Sequence, residues 1–424
     1  MNHTFIPFHQ PSIGKEEIQE VVNTLKSGWL TTGPRAARFE RDFSEHVGAN
    51  HAIAVNSATA ALHLALAGLK IGPGDEVITT PITFCATVHA ILHVGATPVL
   101  ADIGLDGNIN PVDVKKRITS RTRAILPVHF AGLPCEMNAI WALARERGIH
   151  VIEDAAHAVG AFYEGRPIGA GAAALAPGSD AVAFSFYATK NLTTGEGGMI
   201  TTHRQDLAES MRMLSLHGTS HHAWSRYTEH GGWHYDVLEH GFKYNLSDIQ
   251  AAIGIHQLRK LDQFVQRRTS YAGMYNRAFA GLDEVDLPPE NKRCRHAWHL
   301  YILRLNLERL KIDRSEFIQK LRERGIGTSV HFIPIPLHRF FSGLPLAQDA
   351  CPRALSLYPR IVSLPLYPAM TEEQVDYVAQ CVREIVESSR RRHSWQAVPH
   401  AAESVNKVER SSNQRDTCEK QSSY

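Results

Sequence analysis

The sequence predicts an α/β protein built on a mostly parallel sheet covered by helices, followed by a smaller α+β segment. Three observations predict it. Between Ala52 and Ala155, short runs rich in β-branched residues alternate with runs of helical periodicity. The stretches that follow these runs carry the reactive polar residues, above all Asp154 and Lys190. A chain of 424 residues is also too long for one simple hydrophobic core, so at least one smaller domain beside the main sheet is required.

In chain order, Glu16 to Ser27 places Ile18, Val21, Val22 and Leu25 at helical spacing and stops at Gly28 in the turn GWLTTGP. The strands AIAVNS, EVITTP, TPVLADI, AILPVHF and HVIEDA follow, separated by the helices TAALHLALAGL, ATVHAILHV, VDVKKRI and MNAIWALARERG. This βαβ alternation needs crossover helices and therefore parallel pairing. Ligands of open sheets sit at the carboxyl ends of strands, which directs attention to the loops after Val55, Thr79, Val128, Glu153 and Phe186. Asp248 to Phe264 reads as a long helix, and beyond it the strand HAWHLYILRL, helix SEFIQKLRERG, strand TSVHF and helix TEEQVDYVAQCVREIV define another unit. The expected organisation is a large domain with an N-terminal arm over 1–264, a small C-terminal domain over 265–388 and a disordered tail over 389–424.

Composition narrows the class of function. A hydrophobic fraction of 43% and a net charge of +2 describe an ordinary globular chain with no electrostatic reason to bind nucleic acid or a membrane surface. The 6 cysteines are scattered without metal or disulfide spacing. Neither a signal peptide nor a bilayer-spanning run is visible. A cytoplasmic protein with a small-molecule substrate is expected, and no metal.

Three motifs carry chemistry. VIEDAAHAVG ends an apolar strand in Asp154, with His157 one turn on; a carboxylate there can keep a heteroaromatic ring nitrogen protonated. Alone, Asp154 fits a helix N-cap equally well. DAVAFSFYATKN leads a buried run to Lys190, where desolvation would lower the pKa and favour the neutral, nucleophilic amine. An isolated loop lysine would be read as solvated, and it is the neighbouring motifs that favour chemistry. AVNSATAALHLAL starts a helix with Ser57 and Thr59, a place for an anion, for simple N-capping or for both at once.

With these residues the chain resembles fold-type I pyridoxal-phosphate enzymes. From PFHQPSIG and SGWLTTGP through NSATAAL, IEDAAHA, FSFYATKN, GEGGMI, GFKYNLSDIQAAIG, GIGTSVHF and SLPLYP it is similar to the DegT-type sugar aminotransferases over all but its tail. NSATA, EDAAHAVG, HAWHL and KYNLSD read most like the branch that makes 4-amino-4-deoxy-L-arabinose from a UDP-4-keto-pentose. The link GAGAAALAPGSDAVAF is longer than usual, and Phe84 stands where that branch has a tryptophan.

The resemblance implies a homodimer that moves an amino group from glutamate to a nucleotide-linked keto sugar. It makes Lys190 the Schiff-base lysine and proton shuttle, pairs Asp154 with the pyridinium nitrogen, gives His157 a supporting role and stacks Phe84 on the ring. The Ala58 N–H, Thr59 and Ser185 would hold the phosphate, with Asn245 supplied by the neighbouring subunit, and His331 would face substrate. Family members that dehydrate sugars replace the lysine with histidine, so Lys190 disfavours a dehydratase; a non-catalytic regulator that binds the cofactor is the other alternative. The GxGxxA match at Gly169, Gly171 and Ala174 lies after a turn and is read as a loop, against a Rossmann oxidoreductase. The histidines from His217 to His240 fit no zinc pattern and read as a mobile loop over the site.

Overall fold

The computed structural model describes residues 5–170, 178–220, 234–344, 346 and 351–391. The expected tail therefore lies, from 392 onward, outside the described residues, as do His221, His222, His230, Gly171 and Ala174. The chain opens with helices α1 (Lys15–Ser27) and α2 (Pro34–Val47) and then alternates β1 (His51–Val55), α3 (Ala58–Gly68), β2 (Glu76–Thr79), α4 (Cys85–His93), β3 (Thr97–Leu100), α5 (Pro111–Arg117), β4 (Thr122–Leu126), α6 (Met137–Arg147) and β5 (His150–Asp154). A short ribbon, β6 (Phe162–Tyr163) and β7 (Arg166–Pro167), precedes β8 (Ala181–Ser185), β9 (Gly198–Thr202) and α7 (Gln205–Ser215).

These strands make a seven-stranded sheet in the order β1-β9-β8-β5-β4-β2-β3. All pairs from β8 to β3 are parallel, as the βαβ pattern requires, but β9 runs antiparallel to both β1 and β8. The cause is local: the link from Ser185 to Gly198 contains no crossover helix, so the chain turns straight back. Strand alternation divides the core. Val151, Val182 and Phe184 pack with α2, α6 and the helix α8 (Asp248–Phe279), whereas Ile152, Ala181 and Ala183 face α3 and α7.

α8 is longer than the period alone implied, continuing past Phe264 to Phe279 as one helix of 32 residues. Its start is fixed by a capping box between Ser247 and Gln250. The Asp248 carboxylate meanwhile accepts hydrogen bonds from the N–H groups of Gly33, Arg35 and Ala36 and so pins the start of α2. The far end of α8 packs into a second core with β10 (Val285–Asp286), β12 (Tyr301–Leu305), α9 (Arg314–Glu323), β13 (Ile361–Leu364) and α11 (Glu372–Ser388); β10-β12-β13 form an antiparallel sheet. β11 (Cys294–Arg295) joins the β6–β7 ribbon, and α10 (Pro352–Leu357) precedes β13. TSVHF forms no strand beyond one bridge from Ser329 to Ser363, which leaves His331 and Phe332 in a loop. No described helix is long and apolar enough to cross a membrane.

Candidate active site

The loops after β1, β2, β4, β5 and β8 converge on one cavity of about 530 Å³, closed from the other side by His299, His331 and Phe332. Ala58, Thr59, Phe84, Asp154, His157, Ser185, Lys190 and His331 all line it, so eight of the nine residues singled out in the sequence come together. The exception is Asn245. It bridges to Val55, donates through Nδ2 to Thr32 Oγ1 at 2.6 Å and accepts from Lys243 Nζ, away from the wall. A larger groove of about 710 Å³ elsewhere contains none of them.

At one end of the cavity lies the start of α3. Ser57 is its N-cap, with Oγ accepting from the Ala60 N–H at 3.1 Å. The Ala61 N–H goes to the Ser57 carbonyl. Ala58 and Thr59 line the cavity, and their N–H groups, at the positive end of the helix, donate to no described residue. Gly198 makes this possible, because a Cβ there would stand 2.7 Å from the Ser57 carbonyl carbon and 2.8 Å from the Ala58 nitrogen. The Ser185 hydroxyl approaches from the end of β8.

Across the cavity, Asp154 is 5% exposed, with one carboxylate oxygen accepting from Thr87 Oγ1 at 2.8 Å and the other from the Ala156 N–H at 3.1 Å. Since Thr87 donates here, the 2.7 Å contact with Thr83 must have Thr83 as donor. Burial raises the Asp154 pKa above its ordinary value, against the pull of Thr87, Ala156 and Lys190. Burial lowers the Lys190 amine to about 8, opposed by Asp154. Burial thus raises the acid and lowers the base of one and the same cavity.

Much of the remaining wall is aromatic. The rings of His157 and His299 lie 4.3 Å apart, and His157 stacks on Phe332 at 5.7 Å. Phe84, 62% exposed, leans towards Phe332 at 6.2 Å. His331 contacts Ser363 Oγ at 2.8 Å and is backed by Phe8 of the N-terminal arm at 5.4 Å. Burial keeps His157 and His299 well below the usual imidazole range and takes His331 to about 4. Thr87, Thr83, His299 and Phe332 escaped sequence reasoning. Thr87 is an ordinary helical residue whose partner lies far along the chain, and His299 was visible only as part of HAWHL.

Comparison with known proteins identifies the chain. The model of the DegT/DnrJ/EryC1/StrS aminotransferase family matches residues 11–383. The spore coat polysaccharide biosynthesis protein SpsC of Bacillus subtilis is 50% identical over 391 residues, covering 92% of this chain and 98% of that one. Among solved structures, Spr1654 of Streptococcus pneumoniae in its PMP form superposes with a TM-score of 0.83 at 34% identity over 90% of this chain and 99% of its own. PseC of Helicobacter pylori, an aminotransferase of pseudoaminic acid biosynthesis, gives 0.82 at 31% identity over 91% and 100%. The chain belongs to the DegT/DnrJ/EryC1/StrS aminotransferase family.

Proposed function

We propose that this family member moves an amino group from glutamate to the keto carbon of a nucleotide-linked sugar, with pyridoxal phosphate as cofactor and a UDP-4-keto-pentose as the first substrate to try. The observation that carries the reading is the facing of Lys190 and Asp154 across a cavity that ends in the unused N–H groups of Ala58 and Thr59. The donor set fits the cofactor: two backbone donors and Ser185 for a phosphate, a carboxylate for a protonated ring nitrogen, and an amine near neutrality for an aldehyde. The PLP and PMP forms of Spr1654 support this choice, as the polysaccharide and pseudoaminic acid pathways of SpsC and PseC support an amino-sugar product.

When bound, pyridoxal phosphate supplies the electron sink that makes the carbon bearing the nitrogen acidic. Lys190 Nζ takes the proton from that carbon of glutamate and later delivers one to the sugar carbon. Asp154 holds a positive charge on the ring nitrogen, and the Thr87 and Ala156 donors keep its carboxylate aimed and ionised. Phe84 would cover the bound ring, His157 would support it, and His331 would meet the sugar. A lysine at position 190 disfavours dehydration, and the pairing of Lys190 with Asp154 in one cavity disfavours a merely regulatory role. The five described cysteines are all free, which supports a cytoplasmic setting.

We also propose a homodimer in which Asn245 completes the neighbour's phosphate site. Mixing Lys190→Ala with Asn245→Ala subunits should restore partial activity if sites are shared, and no recovery despite subunit exchange refutes sharing. The substrate test presents the pyridoxamine form of the enzyme to a panel of nucleotide 4-keto and 3-keto sugars. Return of the pyridoxal absorbance identifies the acceptor, and silence across the panel refutes amino transfer to these sugars.

A further inference from the structure

Asn191 follows Lys190 directly and is 3% exposed. Its amide orientation is fixed by its surroundings: Nδ2 donates to the Ala297 carbonyl at 2.8 Å, so Oδ1 is the atom that lies 3.3 Å from Nδ1 of His299. An amide oxygen can only accept, and the hydrogen in this contact therefore belongs to His299. Burial, reinforced by His157 and Lys190, keeps the His299 ring neutral. A neutral imidazole carries one hydrogen, which leaves Nε2 as a bare lone pair.

Nε2 makes no hydrogen bond to any described residue and is open to solvent, unlike His157 Nδ1, which is sealed off without a partner. His299 lines the cavity, so this lone pair opens onto it. His331 on the same wall differs. Its Nδ1 touches the Ser363 hydroxyl, which can either donate or accept, so that ring is free to choose its tautomer.

We propose that Asn191 is a positioning residue that locks His299 as the Nδ1–H tautomer, so that His299 Nε2 accepts a hydrogen bond from a hydroxyl of the bound sugar. The hydroxyl rests on the reading of the chain as a sugar aminotransferase; the tautomer does not. Of these two imidazoles, His299 is then a fixed acceptor and His331 an adaptable one. A fixed acceptor rewards a hydroxyl at one position and leaves a deoxy sugar with an unpaired contact.

The test is a long-range ¹H–¹⁵N spectrum of the pyridoxal-phosphate holoenzyme labelled with ¹⁵N-histidine, with His299 assigned by its loss in His299→Phe. The expected pattern is a protonated Nδ1 and an unprotonated Nε2 across neutral pH. Asn191→Leu should release the lock and populate the other tautomer, whereas Asn191→Asp, which still accepts from Nδ1–H, should keep Nδ1 protonated. An Nε2–H tautomer or a charged ring in the native enzyme, or a pattern unchanged in Asn191→Leu, overturns the lock. In kinetics with UDP-4-keto-pentose, Asn191→Leu and His299→Phe should raise KM for the sugar about fivefold to tenfold, the worth of one neutral hydrogen bond, and move kcat and KM for glutamate less. Equal losses towards both substrates overturn the hydroxyl contact. Failure of the native enzyme to aminate this sugar removes that contact together with the UDP-4-keto-pentose reading, while the spectrum still decides the tautomer.

Discussion

On one face of β5 the Glu153 carboxylate accepts from Ser179 Oγ at 2.5 Å and meets His129 Nε2 at 2.7 Å, and Trp141 in turn donates to Ser179 at 2.8 Å. On the other face, one residue later, the Asp154 carboxylate accepts from Thr87 and Ala156 and keeps its remaining capacity for the cavity. Both are buried, at 3% and 5% exposure. Each carboxylate accepts one hydrogen bond at each oxygen, but Glu153 is tied by side chains that hold the sheet to α6 and borders a small cavity of about 220 Å³ there, while Asp154 borders the cavity that also holds Lys190. Strand alternation alone puts a structural carboxylate and a chemical one side by side. What separates them is the cavity each borders: the one at Asp154 also holds Lys190 and the start of α3.

That contrast breaks most clearly in Asp154→Asn. The amide cannot hold a positive ring nitrogen, so turnover should fall about 10²- to 10³-fold while the melting temperature stays close to native. Near-native turnover would refute the role. The opposite pattern is expected of Glu153→Ala, which leaves His129 and Ser179 buried without their acceptor. Unfolding in urea should show a loss of about 3 kcal/mol, with turnover per folded molecule within about threefold of native. A loss of turnover at unchanged stability would mean that the two faces are not independent.

The group facing Asp154 gives a third test. Only the neutral amine of Lys190 attacks an aldehyde, and its pKa is about 8. Capture of pyridoxal phosphate by the apoprotein should speed up about tenfold per pH unit below that value and level off above it, as stopped-flow absorbance can follow. Continued acceleration to pH about 10 would mark an ordinary solvated lysine. The smallest effect belongs to Thr87→Val. The lost donor favoured the ionised carboxylate, so the Asp154 pKa should rise further. The acid limb of the kcat profile should move to higher pH, and turnover at neutral pH should fall about fivefold. An unmoved acid limb would detach Thr87 from the chemistry.

Local pattern carried much of this into the sequence, and what it missed is non-local. The βαβ alternation from Ala52 to Ala155 is written in periodicity, and so are the strand ends that bring Ala58, Phe84, Asp154 and Lys190 to one cavity. The reversed direction of β9 was not, because GMITT reads like any other strand and only the missing crossover before it decides its sense. Thr87 looks like helix filler until Asp154 is placed beside it, 67 residues away. Ser57 could have been an anion ligand, a cap or both, and the contact with Ala60 shows the cap while the residue still lines the cavity. Asn245 was named through family resemblance, and nothing along its own chain would bring it to the cavity wall.

α8 has a bearing on how the molecule comes apart. Ala251, Ile255, Leu258, Leu261 and Val265 belong to the core under the large sheet, and Tyr271, Ala272, Tyr275 and Phe279 belong to the core around β12. At about 1.5 Å per residue the helix spans both without a break. Neither core can melt without exposing one half of a helix whose other half the second core still needs, and an isolated half-helix of that length is marginal in water. The two cores should therefore share one cooperative transition, seen as a single calorimetric endotherm whose van't Hoff and calorimetric enthalpies agree. A proline placed near Val265 would uncouple them and split that peak in two.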